Sequence, residues 1–173
     1  NFSVTPVNDI LPDLAVEVGN ISNAVFHFDA QDIDQDGSTA DQPADGATVQ
    51  SWEDGAGGNH DATQGNASNR PAYDEDAFGT GRAGLRFDGT NDELQITNES
   101  QVNTGGSWDE KSMAITFRTG SDVSSFQVIY EQGGNVRGFS FALDGGDLYA
   151  TGYNNTGSEW GADRYKIMNL GAV

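Results

Sequence analysis

Short apolar and polar alternations, cut apart by glycine and Asx turns and nowhere replaced by a sustained 3.6-residue period, constrain this chain more than any other feature. Val25 and His27 alternate with Phe26 and Phe28. Further period-two runs are Leu85 and Phe87, Leu94 and Ile96, Met113, Ile115 and Phe117, and Phe126, Val128 and Tyr130. Phe139, Phe141 and Leu143, then Leu148 to Tyr153, and finally Tyr165 to Leu170 complete the set. One apolar face per strand is the pattern of antiparallel sheets packed face to face. Asp88-Gly89-Thr90-Asn91-Asp92, Gly133-Gly134-Asn135 and Asp144-Gly145-Gly146 supply residues that accept positive φ at turns, and the last predicts a hairpin between Phe139–Leu143 and Leu148–Tyr153. A hydrophobic content of 35% with 23 glycines in 173 residues fits one all-β domain of many short strands.

The chain carries a formal charge of −19, from 27 acidic and 8 basic residues, and no Lys or Arg precedes Arg70. Phosphate backbones and anionic membranes select a basic footprint, so neither nucleic acid nor a membrane surface is expected as a partner. No apolar stretch approaches the roughly 20 residues of a membrane span. Part of the acidity reads as the solubilising surface of a salt-adapted protein, which the scarcity of lysine (Lys111 and Lys166) also suits.

There is no cysteine, so long loops have to be held by packing or by metal. Residues 29–80 read mostly as loop, too long to be structureless in a compact domain without an organiser. Within them, Asp32-Ile33-Asp34-Gln35-Asp36-Gly37 places carboxylates at alternate positions before a glycine. That spacing lets one tight loop wrap oxygens around a hard cation at about 2.4 Å, which points to calcium. Pro43 stands where an EF-hand loop has its twelfth-position glutamate, so Asp41 or Asp45 would complete the shell, with Asp29 a further candidate. The competing reading is a solvated acidic turn; it leaves three close carboxylates to repel one another.

Catalysis finds little support. Glycosidic hydrolysis needs two carboxylates facing each other across a cleft, whereas Asp74-Glu75-Asp76 and Asp92-Glu93 lie in turn-like surroundings. His27 alternates within a predicted strand and His60 sits in a glycine-rich loop, neither in a nucleophile context. No catalytic residue is assigned, and the chain is expected not to be an enzyme. Trp52, Trp108 and Trp160 could offer aromatic faces to sugar rings, although tryptophan in a β-sandwich more often serves as core or loop anchor.

The chain opens on Asn1-Phe2-Ser3 and reads as part of something longer, with residues 1–12 the tail of a preceding unit plus linker, a new strand starting at Leu14, and residues 13–173 the main domain. Phe2 to Asp9, F-S-V-T-P-V-N-D, resembles the closing strand of the cadherin-like or immunoglobulin-like repeats of large bacterial RTX adhesins. The resemblance implies that Asn8 and Asp9 hold calcium at a junction between domains.

Val49-Gln50-Ser51-Trp52-Glu53-Asp54, Gly58-Asn59-His60-Asp61-Ala62-Thr63-Gln64, Arg70-Pro71-Ala72-Tyr73 and Leu85-Arg86-Phe87-Asp88-Gly89-Thr90-Asn91-Asp92 are similar, in order and spacing, to the laminin-G-like, concanavalin A-like domains of bacterial surface proteins. This implies a two-sheet antiparallel jelly-roll sandwich in which Trp52, Ala62, Pro71, Tyr73 and Phe87 are structural landmarks. Members of that family continue well past the region matching Tyr153, so the expectation is a jelly roll short of its last strands in this chain. Neighbouring domains of the same adhesin, or a complementary fragment, would then be its partners. The function implied is a non-catalytic, calcium-binding scaffold on the extracellular bacterial surface that supports or projects ligand-binding domains. The alternative is a calcium-dependent, lectin-like domain binding glycans through Trp52, Tyr153, Asn154 or Trp160.

Overall fold

A computed structural model of the chain describes residues 24–99, 112–133, 137–154 and 165–169. The expected strand from Leu14, the 1–12 segment with Asn8 and Asp9, and Trp160 lie outside the described residues. Regular structure among the described residues is antiparallel strand, with one 3-10 turn at Ala67–Asn69 and no α-helix. The fold is all-β.

Among the described residues, nine strands form three sheets. β1 (Ser51–Trp52), β2 (Ala62–Thr63) and β5 (Gln95–Ile96) associate in the order β1-β2-β5. Their register puts Trp52, Ala62 and Ile96 in one row and Ser51, Thr63 and Gln95 in the next, so the period-two pattern separates an apolar row from a polar one. β3 (Ala72–Asp74) pairs with β4 (Gly84–Arg86), setting Tyr73 opposite Leu85. The segment before β1 runs antiparallel beside β3, through Gly46 N–H to Tyr73 C=O, Val49 N–H to Pro71 C=O and Tyr73 N–H to Ala47 C=O, each 2.8–2.9 Å.

The third sheet is a meander of β6 (Gln127–Gly133), β7 (Arg137–Asp144), β8 (Asp147–Asn154) and β9 (Tyr165–Asn169), each hydrogen-bonded to the next. The turn at Gly145-Gly146 closes the β7–β8 hairpin with Asp144 opposite Asp147, as the sequence predicts. Both of its glycines have positive φ. Leu143 and Leu148 face each other across this hairpin and are among the most buried side chains, at 2% and 7% exposure.

The other cluster of buried apolar residues is Ala30, Ile33, Val49 and Tyr73, with Trp52, Ala83 and Leu85 packed against it. Ile33 belongs to the Asp-rich loop itself, so that loop is part of the packing. Burial, then the negative charges of Glu75 and Asp29, push the Tyr73 phenol above its ordinary pKa.

Two expected strands are corrected. Val25–Phe28 forms no ladder: Phe28 packs its ring 5.4 Å from Trp52, and the backbone of His27 is held from both sides by the Asp54–Gly55 turn. Met113–Phe117 likewise forms no ladder, and Ile115 is 40% exposed. Alternation specifies which side chains share a face, but a strand also needs a neighbouring backbone in register. Conversely, residues 29–80 contain β1, β2 and β3, each two or three residues long and too short to announce itself by periodicity.

Candidate metal centre

The Asp-rich loop is built by side chains bonding to their own backbone. Asp29 Oδ1 accepts from Gln31 N–H and Asp29 C=O from Asp32 N–H, which starts the turn. Asp32 Oδ2 accepts from Gly37 N–H at 2.9 Å, and Asp36 Oδ1 from Ser38 N–H at 2.7 Å. Gln35 takes a positive φ of 51° and its side-chain amide donates to Asp32 C=O. Gly37, at φ 88°, turns the chain out of the loop in a conformation that side chains other than those of Gly and Asx rarely adopt.

These turns bring one carboxylate oxygen from each of Asp32, Asp34 and Asp36 within 4.8 Å of one another. Asp34 and Asp36 are exposed, while Asp32 is partly buried and its Oδ1 is enclosed without a hydrogen-bond partner. Three like charges at such separations repel by about 1 kcal/mol per pair even in water-like surroundings, and more where burial lowers the dielectric. An enclosed carboxylate oxygen lacking a donor adds a desolvation cost. A cation among the three oxygens would relieve the repulsion, and the residues present can hold one.

The loop is fastened to the rest of the fold at several points, among them Ala83 N–H donating to Gln31 Oε1. Ile33 N–H donates to Gln42 Oε1 at 2.7 Å, Ile33 C=O accepts from Glu53 N–H at 2.8 Å, and Asp29 C=O accepts from Trp52 Nε1 at 3.0 Å. Order in the carboxylates therefore passes directly to β1 and to the cluster around Ile33.

The other proposed ligands are placed differently. Asp41 is exposed and outside the converging group. Asp45 is also exposed and its Oδ1 accepts from Glu75 N–H at 3.4 Å, beside the end of β3. Trp52 is half-buried, with its indole N–H and ring engaged in anchoring the loop. Tyr153 and Asn154 lie at the end of β8, opposite Gly138 and Arg137, and their side chains are outside the described set.

Against models of known protein families, curated protein sequences and solved structures, the chain gives no match. No helix among the described residues is long and apolar enough to cross a membrane.

A second constellation escapes sequence reading because its members are far apart in the chain. Asp54 caps the glycine-rich loop after β1: Oδ1 accepts from His27 N–H and Ala56 N–H, both at 2.9 Å, and its own N–H donates to Asp61 Oδ1. His60 then stands between two carboxylates, with Nε2 2.5 Å from Glu99 Oε2 and Nδ1 3.4 Å from Asp54 Oδ2. The only signal in the sequence is a histidine following Gly57-Gly58-Asn59; nothing local points to Glu99.

Proposed function

We propose that this chain is a non-catalytic, calcium-dependent structural module of a secreted bacterial surface adhesin, with calcium held by Asp32, Asp34 and Asp36. The observations that carry the reading are the convergence of one carboxylate oxygen each from Asp32, Asp34 and Asp36 and, on the same Asp32 carboxylate, an enclosed Oδ1 without a hydrogen-bond partner. All-oxygen donors of this kind suit a hard cation, and calcium tolerates the irregular geometry of a loop better than magnesium does. In this reading the sheets belong to a concanavalin A-like jelly roll. Neighbouring domains of the same adhesin or a complementary fragment are its partners, and the module projects other domains from the cell surface. Its antiparallel sheets and their segregated apolar rows support that architecture. Glycan binding through Trp52 is the weaker reading, because that indole is already committed to Asp29 and Phe28.

The test is thermal unfolding in excess EDTA and again in calcium. At a concentration 100-fold above the dissociation constant, a ligand that binds only the folded state adds about 2.7 kcal/mol, or roughly 5–10 °C of Tm for a domain of this size. The expected outcome is a shift of that order, absent when Asp32 and Asp34 are both replaced by Ala. Equal melting temperatures in EDTA and calcium would reduce the loop to solubilising charge and remove the basis of the proposal.

A further inference from the structure

We propose a second cation site, for a borderline divalent metal of the zinc type, with His60 Nδ1 and Asp54 Oδ2 as its protein ligands and Glu99 as the group that orients the imidazole. The site is chemically distinct from the all-oxygen loop and does not depend on the calcium reading.

Four observations converge. First, Asp54 Oδ2 and His60 Nδ1 are both enclosed and neither has a hydrogen-bond partner. They approach to 3.4 Å, close enough for an ion pair, yet they do not meet as a hydrogen bond. Two donors of electron pairs facing each other in this way call for a cation between and beside them. Donors at about 2.0–2.1 Å from a tetrahedral zinc lie roughly 3.3 Å apart, so the separation matches one edge of such a site.

Second, the other ring nitrogen is already assigned. Glu99 Oε2 sits 2.5 Å from Nε2, which places the ring proton there and leaves the Nδ1 lone pair available. A metal-bound histidine characteristically donates its second N–H to a carboxylate, which fixes its tautomer and raises its basicity. The edge of the Phe26 or His60 ring against the other's face, with centroids 5.2 Å apart at 87°, helps hold the imidazole in this orientation.

Third, the side chain of Asp54 is fully buried, and those of Glu99 and His60 are 11% and 16% exposed. Both carboxylates are withdrawn from bulk water. A divalent cation bound to a neutral ring balances the pair, and buried charge is tolerated where it is compensated.

Fourth, the imidazole closes directly over Gly58, where no side chain fits. A Cβ built there would overlap His60 Nδ1 and lie 3.4 Å from Asp54 Oδ2. Asn59, at φ 55°, then turns the backbone so that His60 returns toward Asp54. The nitrogen donor favours zinc, cobalt(II) or a similar ion over calcium.

Cobalt(II) titration in excess calcium tests this, since calcium occupies the oxygen-rich loop and cobalt reports nitrogen ligation through its visible absorption. The expected result is one bound ion whose spectrum is displaced by zinc, lost in His60→Gln and in Gly58→Ala, and weakened about 10–100-fold in Glu99→Gln. A spectrum unchanged between the wild type and His60→Gln would overturn the site. Nitrogen NMR of the wild-type imidazole covers the case in which the variants do not fold. His60 Nδ1 should lose any proton and shift on addition of zinc; a ring protonated at both nitrogens in excess zinc at neutral pH would mean that a proton, not a metal, bridges the pair, and would overturn the proposal.

Discussion

Residues 24–99 and the β6–β9 meander satisfy their backbones by different means. In the meander, strands of five to eight residues exchange hydrogen bonds in long ladders, interrupted by register shifts at Val128/Tyr130 and Leu148/Tyr149. In residues 24–99 no strand exceeds three residues, and the connections rest on aspartate, asparagine and glutamine side chains that accept from or donate to the main chain. A ladder is propagated by backbone groups that every residue but proline possesses. The Asx-rich half instead depends on individual side chains and on the neutralisation of their charge. The first region should therefore respond to cations and to single polar substitutions, the second to loss of apolar packing.

The sharpest way to break that contrast is Leu143→Ala. The side chain is almost entirely enclosed against its cross-strand neighbour Leu148, and removing it from a filled site costs about 3–5 kcal/mol. The expected outcome in urea unfolding is a loss of that size with calcium affinity unchanged. Should the substitution abolish calcium binding as well, the two regions form one cooperative unit and the contrast is only local.

The meander was legible in the sequence because Phe139, Phe141 and Leu143, then Leu148 onwards, repeat at period two across a glycine turn, and both signals are local. The carboxylates at 32, 34 and 36 were legible for the same reason: their spacing along the chain is also their spacing in the loop. Asp41 and Asp45 are near the loop in sequence, yet they lie outside the converging group. His60 with Glu99 was illegible because their meeting depends on the path of β2 and β5, which no local pattern encodes. Strands of two residues, such as Ser51–Trp52, leave no periodicity at all.

A smaller effect tests the seam between the regions. Tyr130 O–H donates to Gln132 Oε1 at 2.7 Å, and the buried Gln132 Nε2 donates to Thr97 C=O at 3.4 Å, just beyond β5. Gln132→Ala removes both bonds and strands the tyrosine hydroxyl, a loss of about 1–3 kcal/mol. Burial also pushes the Tyr130 phenol up to about 12 from its ordinary 10.0. Its folded-state pKa lies above the unfolded one, so its contribution is complete below pH 10 and declines as pH rises from 10 toward 12. Alkaline unfolding followed by circular dichroism should show a stability slope in that window which Tyr130→Phe flattens. An unaltered slope in the variant would assign it to other groups.

The smallest effect sharpens the comparison at the edge of the meander, where an Asx motif in the loop before β6 does what such motifs do in residues 24–99. Asp122 Oδ1 accepts from Ser124 N–H, Ser124 Oγ–H and Ser125 N–H, and the loop so shaped offers Ser124 C=O to Gly145 N–H and Val123 C=O to Gly146 N–H. Hydrogen bonds from Ser125 and Ser124 hold the Asp122 carboxyl well below its ordinary 3.8. Because the folded-state pKa is depressed, the stabilisation is present above about pH 4 and disappears as pH falls through the folded value. The carboxyl is fully exposed, so solvent screens it and the effect on global stability is slight. It should be visible locally instead: amide exchange at Gly145 and Gly146 accelerates below pH 4 beyond its intrinsic dependence, and Asp122→Ala shows the faster exchange at every pH. Identical exchange in the two proteins would mean that the ladder alone fixes the hairpin tip. The meander would then owe nothing to the side-chain devices on which the acidic region is built.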